Sequence, residues 1–331
     1  MSRKNSNVNS SPQKKFVAAG TYGCIFDKAL NCASHKKQPA DAVSKVFADR
    51  ESFEEEKSME AMIKKIDPEH KFTRSFYDQC QVNSGDINRY AIDTCKHTKN
   101  QNSKYHQIVF QDGGNDLTKL MRKPGPKSVM SFRKILKRFR VIIDGIHTLS
   151  KKKYVHLDIK PENILYNNKK FFLIDFGLMC KKNEVYTHKH VLRHDYPFYP
   201  PEFKMTTYPE MKTFNKEFVK NFSYQYHVYD RKRQEDTRVS LHDNIISKTD
   251  YSIKEQESDL LRLNKNKTRE VNKIDVYSVG MVLLLLYIWS GTKIPKLGRL
   301  IKSMICFDPL ERISTKKLKI KYWKMLKALK K

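Results

Sequence analysis

Residues Tyr154–Leu165 read Y-V-H-L-D-I-K-P-E-N-I-L and place an acid, a base and an amide close together, at Asp158, Lys160 and Asn163. A second acid follows this stretch, at the start of the run D-F-G that begins with Asp175. An Asp that orients a hydroxyl, a Lys that holds a phosphate, and an Asn and an Asp that hold Mg²⁺ are the parts of phosphoryl transfer. The spacing therefore predicts a site for this chemistry on a loop after a helix.

The two motifs, in this order and at this spacing, resemble the catalytic loop and the D-F-G motif of eukaryotic-type protein kinases. The resemblance implies that Asp158 accepts or orients the proton of the substrate hydroxyl and that Lys160 neutralises the transferring phosphoryl group. It further implies that Asn163 and Asp175 hold Mg²⁺ through oxygen ligands and that Leu165 lies under the adenine of ATP. A Lys two residues after the catalytic Asp is the pattern of the Ser/Thr kinases.

An earlier run, V-A-A-G-T-Y-G-C-I-F over residues 17–26, resembles the glycine-rich loop of the same family. Glycine lets a backbone approach phosphate oxygens without a Cβ in the way. Ala18 stands where the first glycine of the pattern is expected. The residues that the resemblance places on ATP here are Val17, Gly20, Gly23 and Ile25.

Lys45 lies on a strand-like run, A-V-S-K-V-F, and resembles the strand Lys that holds the α- and β-phosphates. The next segment, residues 51–66, is predicted to be a helix, because it has acids in its first turn and an apolar stripe. One acid of this helix is expected to pair with Lys45. Glu56 is the first choice, and Glu55 and Glu60 are alternatives.

The run I-V-F-Q-D-G-G-N-D-L over residues 108–117 resembles the strand that enters the hinge between kinase lobes. Phe110 would be the bulky residue behind the adenine, Val43 would pack on the adenine face, and Asp116 would reach the ribose. Residues 111–113 would present backbone hydrogen-bonding groups to the adenine edge. These assignments follow from the resemblance and from the order of the motifs.

Several long-range contacts and helices are also expected. Glu202 should pair with Arg312 as a buried ion pair, and Asp275 should fix the backbone of the catalytic loop. A long helix is predicted over residues 128–150 from its apolar periodicity. The last helix is expected to pack on the large lobe through one apolar face, made of Leu318, Trp323, Leu326 and Leu329. A basic amphipathic helix that lies on a membrane is the alternative.

Three positions depart from the kinase pattern: Ala18, Leu157 and Asp195. Leu157 replaces the Arg of H-R-D, which reads a phosphate on the activation loop, so switching by loop phosphorylation is not expected. Asp195 replaces a Thr that bonds the catalytic Asp and Lys. These departures leave open a different function, that of a pseudokinase or nucleotide-binding scaffold.

The composition indicates which kinds of partner and which cellular compartment are expected. The 331 residues carry a formal net charge of +29, which favours anionic partners such as nucleic acid, an anionic surface or acidic protein substrates. The longest apolar run is too short for a bilayer span. Six cysteines without a C-x-x-C pair are expected to be reduced thiols, and the expected compartment is the cytoplasm.

The expected fold is α+β: a two-lobed protein kinase fold with a small antiparallel β lobe carrying one helix and a large, mainly helical lobe. The chain resembles the divergent kinases of large cytoplasmic DNA viruses, which implies the host cytoplasm or the virion. The expected segments are a disordered basic tail (1–15), a kinase domain (16–331), its small lobe (16–112), its large lobe (113–331), an insertion (about 203–270) and short helices near 209–222 and 252–264.

Overall fold

The computed structural model describes residues 16–19, 23–32, 38–82, 105–167, 169–185, 197–202, 225–230, 234–266 and 270–329. These residues form two compact units. The small unit contains the described residues up to 65 together with 74–82 and 105–112. The large unit contains 66–73 and the described residues from 113 onward. The tail 1–15, Gly20, Asp195 and the helix expected near 209–222 lie outside the described residues.

The small unit is an antiparallel sheet with one helix packed on it. The spatial strand order is β1-β2-β3-β5-β4. Helix α1 packs its buried Phe53 against β3 and β5, where Phe47 and Phe110 are also buried. The elements are β1 (Phe16–Ala19), β2 (Cys24–Phe26), β3 (Ala42–Phe47), α1 (Arg50–Ile66), β4 (Phe76–Gln81) and β5 (His106–Gln111).

A disulfide bond joins Cys32 and Cys80 in the small unit, with their Cα atoms 5.6 Å apart. The expectation of reduced cysteines is therefore wrong for this pair. The fold brings together two residues that are 48 positions apart in sequence, and no short spacing marks such a pair. Cys180 and Cys306 are free thiols, and burial raises the pKa of each to about 12.

The large unit is mainly helical. Its three-stranded sheet has the order β6-β8-β9, and β7 pairs with β10. The helices are α2 (Leu117–Met121), α3 (Val129–Lys151), α4 (Leu241–Thr249), α5 (Ile253–Asn266), α6 (Ile274–Ser290), α7 (Pro295–Ile305) and α8 (Thr315–Ala328). The strands are β6 (Asn115–Asp116), β7 (Tyr154–Val155), β8 (Ile164–Tyr166), β9 (Phe171–Leu173), β10 (Cys180–Lys181), β11 (Gln225–Asp230) and β12 (Glu235–Ser240).

Helix α6 is the core of the large unit, and all of its residues except Ile288 are buried. A Cβ added at Gly280 would lie 2.7 Å from Ile305 Cγ2, so a glycine lets α6 and α7 approach closely. Among the described residues, one segment is long and apolar enough to cross a membrane, Val271–Ser290, and 78% of its most apolar window is buried within the protein. A core helix meets the same criterion, and burial accounts for this composition.

Helix α3 begins after Ser128, whose side chain accepts a hydrogen bond from the Ser131 N–H in a capping box. Helix α8 packs on α3, and the Tyr322 hydroxyl donates to the Leu136 carbonyl (2.7 Å). The predicted apolar face of α8 is wrong at Trp323, which is 39% exposed. The neighbouring Tyr322 is buried instead, because its ring packs against α3 while its hydroxyl has a hydrogen-bond acceptor there.

The insertion contains more regular structure than its polar composition predicts. Helix α5 coincides with the helix expected near 252–264. Strands β11 and β12 form an antiparallel hairpin, and α4 follows it directly; neither was predicted. Aromatic and β-branched residues at alternate positions, Tyr226 with Val228 and Thr237 with Val239, are the signal that indicates such a hairpin.

Candidate active site

The backbone that leads to Asp158 is held by a buried carboxylate. Asp275, at the start of α6, accepts hydrogen bonds from the N–H groups of His156 (2.9 Å) and Leu157 (3.2 Å). Leu157 has a φ of 65°, in the left-handed region that side chains disfavour. The expected role of Asp275 corresponds to this contact, which fixes an otherwise unfavourable turn.

His156 connects the loop that carries Asp158 to the segment that leads into Asp175, a role that the sequence did not indicate. Its Nδ1 accepts a hydrogen bond from the Asp158 N–H (3.2 Å), and its Nε2 donates to the Ile174 carbonyl (3.2 Å). Burial lowers the pKa of His156, although three nearby Asp carboxylates oppose this effect. The ring is therefore neutral near pH 7, which its acceptor role requires.

Asp158 is surrounded by donors from its own loop. The Lys160 Nζ lies 2.8 Å and 3.1 Å from the two carboxylate oxygens of Asp158. The Asn163 Nδ2 donates to Asp158 Oδ2 (2.8 Å) and to the Asp158 carbonyl (2.9 Å). The side chains of Asp158 and Lys160 are 13% and 25% exposed. The loop thus presents an oriented carboxylate beside a cation at a partly accessible surface.

Asn163 and Asp175 are brought close by backbone pairing. Asn163 ends the 3₁₀ turn Pro161–Asn163, and its carbonyl accepts a hydrogen bond from the Ile174 N–H (3.0 Å). Asp175 follows Ile174 directly, with a φ of 61° and an exposed side chain. Since the Asn163 amide nitrogen donates to Asp158, its oxygen is the acceptor that remains. An amide oxygen and a carboxylate oxygen are ligand types that Mg²⁺ prefers, so the chemistry of these two residues is compatible with the magnesium role predicted for them.

Leu165 packs under a glycine in the large unit. A Cβ added at Gly113 would lie only 2.5 Å from Leu165 Cδ1, so this close packing requires glycine. Asp116 pairs with Leu165 between β6 and β8. Its Oδ1 also accepts a hydrogen bond from the Lys119 N–H (2.8 Å) as the N-cap of α2. The residue predicted to reach the ribose therefore has a structural role as a helix cap.

Lys45 in the small unit pairs with Glu56. Their Nζ and Oε2 atoms are 2.7 Å apart, and the side chains are 13% and 21% exposed. Lys45 is the one residue of β3 that is not fully buried. Glu55 is exposed, and Glu60 lies one turn further along α1. The structure thus selects Glu56 among the three acids that the sequence left open.

The remaining residues assigned to ATP in the small unit have varied surroundings. Val17 is 44% exposed, and Ile25 lies opposite Lys45 between β2 and β3. A Cβ at Gly23 would meet the Val46 carbonyl at 2.6 Å, so close backbone packing explains this glycine. Val43 lies opposite Phe110 between β3 and β5.

Phe110 belongs to the core of the small unit. It is 1% exposed, Phe76 meets its ring edge-on, and the Arg74 guanidinium lies 4.0 Å from its ring centroid. The next two backbone N–H groups have partners within the unit: Gln111 donates to Ser75 (2.9 Å) and Asp112 to Asp41 (2.7 Å). Of the backbone groups predicted to meet adenine, these two N–H groups are thus already bonded.

Glu202 and Arg312 form the expected ion pair. Arg312 Nη2 lies 2.8 Å from Glu202 Oε2, Nη1 bonds Oε1, and the side chains are 1% or less exposed. The Arg312 Nε also donates to the Cys306 carbonyl (2.9 Å). The pair joins the segment that contains Glu202 to the segment before α8.

The hairpin β11–β12 reaches the catalytic loop, which the sequence did not indicate. The Tyr226 hydroxyl donates to Glu162 Oε1 (2.6 Å), and Thr118 Oγ1 donates to the same oxygen (3.1 Å). Burial, followed by the Glu162 charge, raises the pKa of Tyr226, so its hydroxyl stays protonated as a donor. Part of the insertion is thereby anchored beside the residues that carry the proposed chemistry.

Comparison with known proteins identifies the family. A family model described as the protein kinase domain matches residues 20–324. A crystal structure of a kinase domain aligns with 92% of this chain and 92% of its own, at 14% sequence identity and a TM-score of 0.49. A search of curated proteins gave no match.

The matched residues are most of the chain, and the chain therefore belongs to the protein kinase family. The prediction of an α+β, two-lobed kinase fold is confirmed, since one unit is built on an antiparallel sheet and the other is mainly helical. Membership supports a phosphotransferase of the protein kinase class and implies protein substrates.

Glu60 predicts a pH dependence of stability in the small unit. Burial raises the pKa of Glu60 from 4.5 to about 7, with Arg74 opposing and Glu56 assisting this effect. Between these pH values the folded state binds more protons than the unfolded state, so stability falls as pH rises from about 4.5 to 7. We expect Glu60→Gln to reduce this loss of stability. Above pH 7 the free energy of unfolding of the variant should exceed that of wild type by roughly 1–3 kcal/mol, a range that allows for the partial exposure of the side chain.

The measurement is thermal unfolding of wild type and variant from pH 5 to 8. Glu55→Gln is the matched control, because Glu55 is an exposed acid on the same helix. Parallel pH profiles for wild type and Glu60→Gln would show that Glu60 ionises normally in the folded protein.

Proposed function

We propose that the protein transfers the γ-phosphoryl group of ATP to Ser or Thr hydroxyls of protein substrates in the presence of Mg²⁺. The observation that carries the proposal is the cluster of Asp158, Lys160 and Asn163, with both Asp158 oxygens bonded and its backbone fixed through His156. The Lys two residues after the Asp supports the Ser/Thr class. Acidic flanking residues in the substrate are expected from the net charge of +29.

In this function Asp158 orients the substrate hydroxyl and accepts its proton late. An ordinary carboxylate is sufficient, because the loose transition state depends more on positioning than on a strong base. Lys160 supplies positive charge near the transferring phosphoryl group. Lys45, fixed by Glu56, would hold the phosphates of ATP. Mg²⁺, which Asn163 and Asp175 would bind, supplies charge neutralisation for the phosphates.

Leu157 supports activity without phosphorylation of the activation loop. Its side chain is fully buried in a cluster with Val155, Cys180, Tyr199 and Ile274. A leucine in this position stabilises the fold around the catalytic loop and offers no group that binds phosphate. Regulation is therefore expected to act elsewhere in the chain.

The resemblance to kinases of large cytoplasmic DNA viruses suggests a compartment, which we propose to be the cytoplasm of an infected cell or the virus particle. The Cys32–Cys80 disulfide favours the particle, because disulfides persist in oxidising surroundings and are rare in the cytosol.

The test is transfer of labelled phosphate from ATP to casein and to the protein itself, with and without Mg²⁺, followed by phosphoamino acid analysis. We expect label on Ser and Thr that disappears on chelation. Label on Tyr would contradict the Ser/Thr assignment. Absence of label, with a melting temperature still raised by ATP, would instead favour the pseudokinase or nucleotide-binding scaffold.

A further inference from the structure

Helices α7 and α8 enclose a groove with basic walls in the large unit. Its volume is about 440 Å³. The buried side chains of Leu300 and Met325 provide its apolar lining. Its charged walls consist of Lys296 and Arg299 from α7 and of Lys321 and Lys324 from α8.

Within the described part of the chain, these four cations form no ion pair. Other cations of the same helices do: Lys302 pairs with Glu255 (2.6 Å) and Lys319 with Asp144 (3.0 Å). The two helices together carry nine Lys and Arg residues and no Asp or Glu. The positive charge of the groove is thus available to bind an anion from outside the protein.

The cations are arranged in rows. Each helix contributes a pair three residues apart, which places the Cβ atoms about 5–6 Å from each other. Lys317 is exposed one turn before Lys321 on the same face of α8 and extends the row. Such a row matches an extended chain with regularly spaced negative charges better than a single small anion.

The adjacent groove lacks the excess of positive charge and so gives the site a direction. It shares Arg299 with the basic groove, but the charges of its cations, Arg262, Arg299 and Lys302, are offset by four carboxylates: Asp250, Glu255, Asp259 and Glu311. An extended anion is therefore attracted along α8 more strongly than on the α5 side of Arg299.

A lipid surface fits this site poorly. The apolar face of α8, which includes Leu318, Tyr322 and Leu326, is buried, and Tyr322 bonds α3. Membrane-surface helices bind by inserting such a face into the lipid, and here the face is occupied. The cations also line a concavity, which can surround a strand.

We propose that the α7–α8 groove binds the phosphate backbone of single-stranded nucleic acid. A positively charged groove that follows the backbone is the common element of sequence-independent single-strand binding. This binding does not depend on phosphate transfer. It can therefore be tested independently of the proposed kinase activity.

The test uses the full-length protein and a fluorescent oligothymidylate of twenty nucleotides, followed by anisotropy over a salt series. The groove variant combines Lys296→Gln, Arg299→Gln, Lys321→Gln and Lys324→Gln. The control variant removes the same charge at four exposed lysines elsewhere: Lys64→Gln, Lys65→Gln, Lys151→Gln and Lys152→Gln. Melting temperatures of both variants report on folding.

We expect the groove variant to bind at least about tenfold more weakly, and its slope of log affinity against log salt to fall by about 3, at roughly 0.7 per phosphate contact. The control variant should keep most of the slope. Equal losses in both variants would overturn the proposal in favour of a diffuse field. Binding to phosphatidylserine vesicles or polyglutamate at least as strong as to the oligonucleotide would overturn it as well.

Discussion

Asp158→Asn is expected to lower the rate of phosphate transfer by about 10²–10⁴-fold while the protein stays folded. The amide keeps the shape of the carboxylate, but it cannot accept the hydroxyl proton and loses its attraction to Lys160, which lies 2.8 Å from Asp158 Oδ2. Because the backbone of this loop is held by Asp275, the substitution should leave the loop in place.

The measurement is kcat with labelled ATP and casein, alongside the melting temperature with and without ATP. Glu311→Gln is a matched control, since it changes an exposed carboxylate to an amide elsewhere in the large unit. A variant that retains more than about a tenth of the wild-type rate would remove Asp158 from the catalytic role. Loss of ATP-induced stabilisation would show that the substitution disturbs more than the chemistry.

Arg312→Met is expected to destabilise the large unit by about 3–5 kcal/mol, because it leaves the Glu202 carboxylate buried without its partner. At roughly 2–4 °C per kcal/mol for a unit of this size, the melting temperature should fall by about 10 °C. Loss of the bond to the Cys306 carbonyl adds to the effect. Replacing both partners, as Glu202→Leu with Arg312→Met, should recover much of the loss, since no buried charge then remains.

The control is Lys302→Met, which removes one partner of the Lys302–Glu255 pair, whose side chains are 32% and 47% exposed. Exposed pairs contribute up to about 1 kcal/mol, so this variant should melt within about 3 °C of wild type. Similar losses in the two variants would mean that the buried pair is no more important than an exposed one.

Much of the site could be predicted because kinase motifs are short and ordered along the chain. Asp158, Lys160 and Asn163 lie within six residues, so one loop conformation suffices to bring them together. The periodicity of α3 likewise indicated its buried face, since the helix repeat converts spacing into direction. The roles of Asp158, Lys160 and Asn163 in phosphate transfer and Mg²⁺ binding stay predictions.

Other features depended on which surfaces pack together. Three acids of α1 were open as partners of Lys45, and the placement of the helix on the sheet selected Glu56. The same holds for Trp323, whose exposure follows from the rotation of α8 on α3, which buries Tyr322. A one-residue difference in helix phase changes direction by about 100°, and sequence patterns do not resolve it when both residues are aromatic.

By itself, the sequence determined the family, the order of the catalytic elements and the residues that are adjacent in the loop, because these depend on local spacing. Only the tertiary structure decided the Cys32–Cys80 bond, the contact of Tyr226 with Glu162 and the groove between α7 and α8. Each of these joins segments that are distant in the chain. Such contacts follow from the packing of whole elements, for which local composition carries no signal.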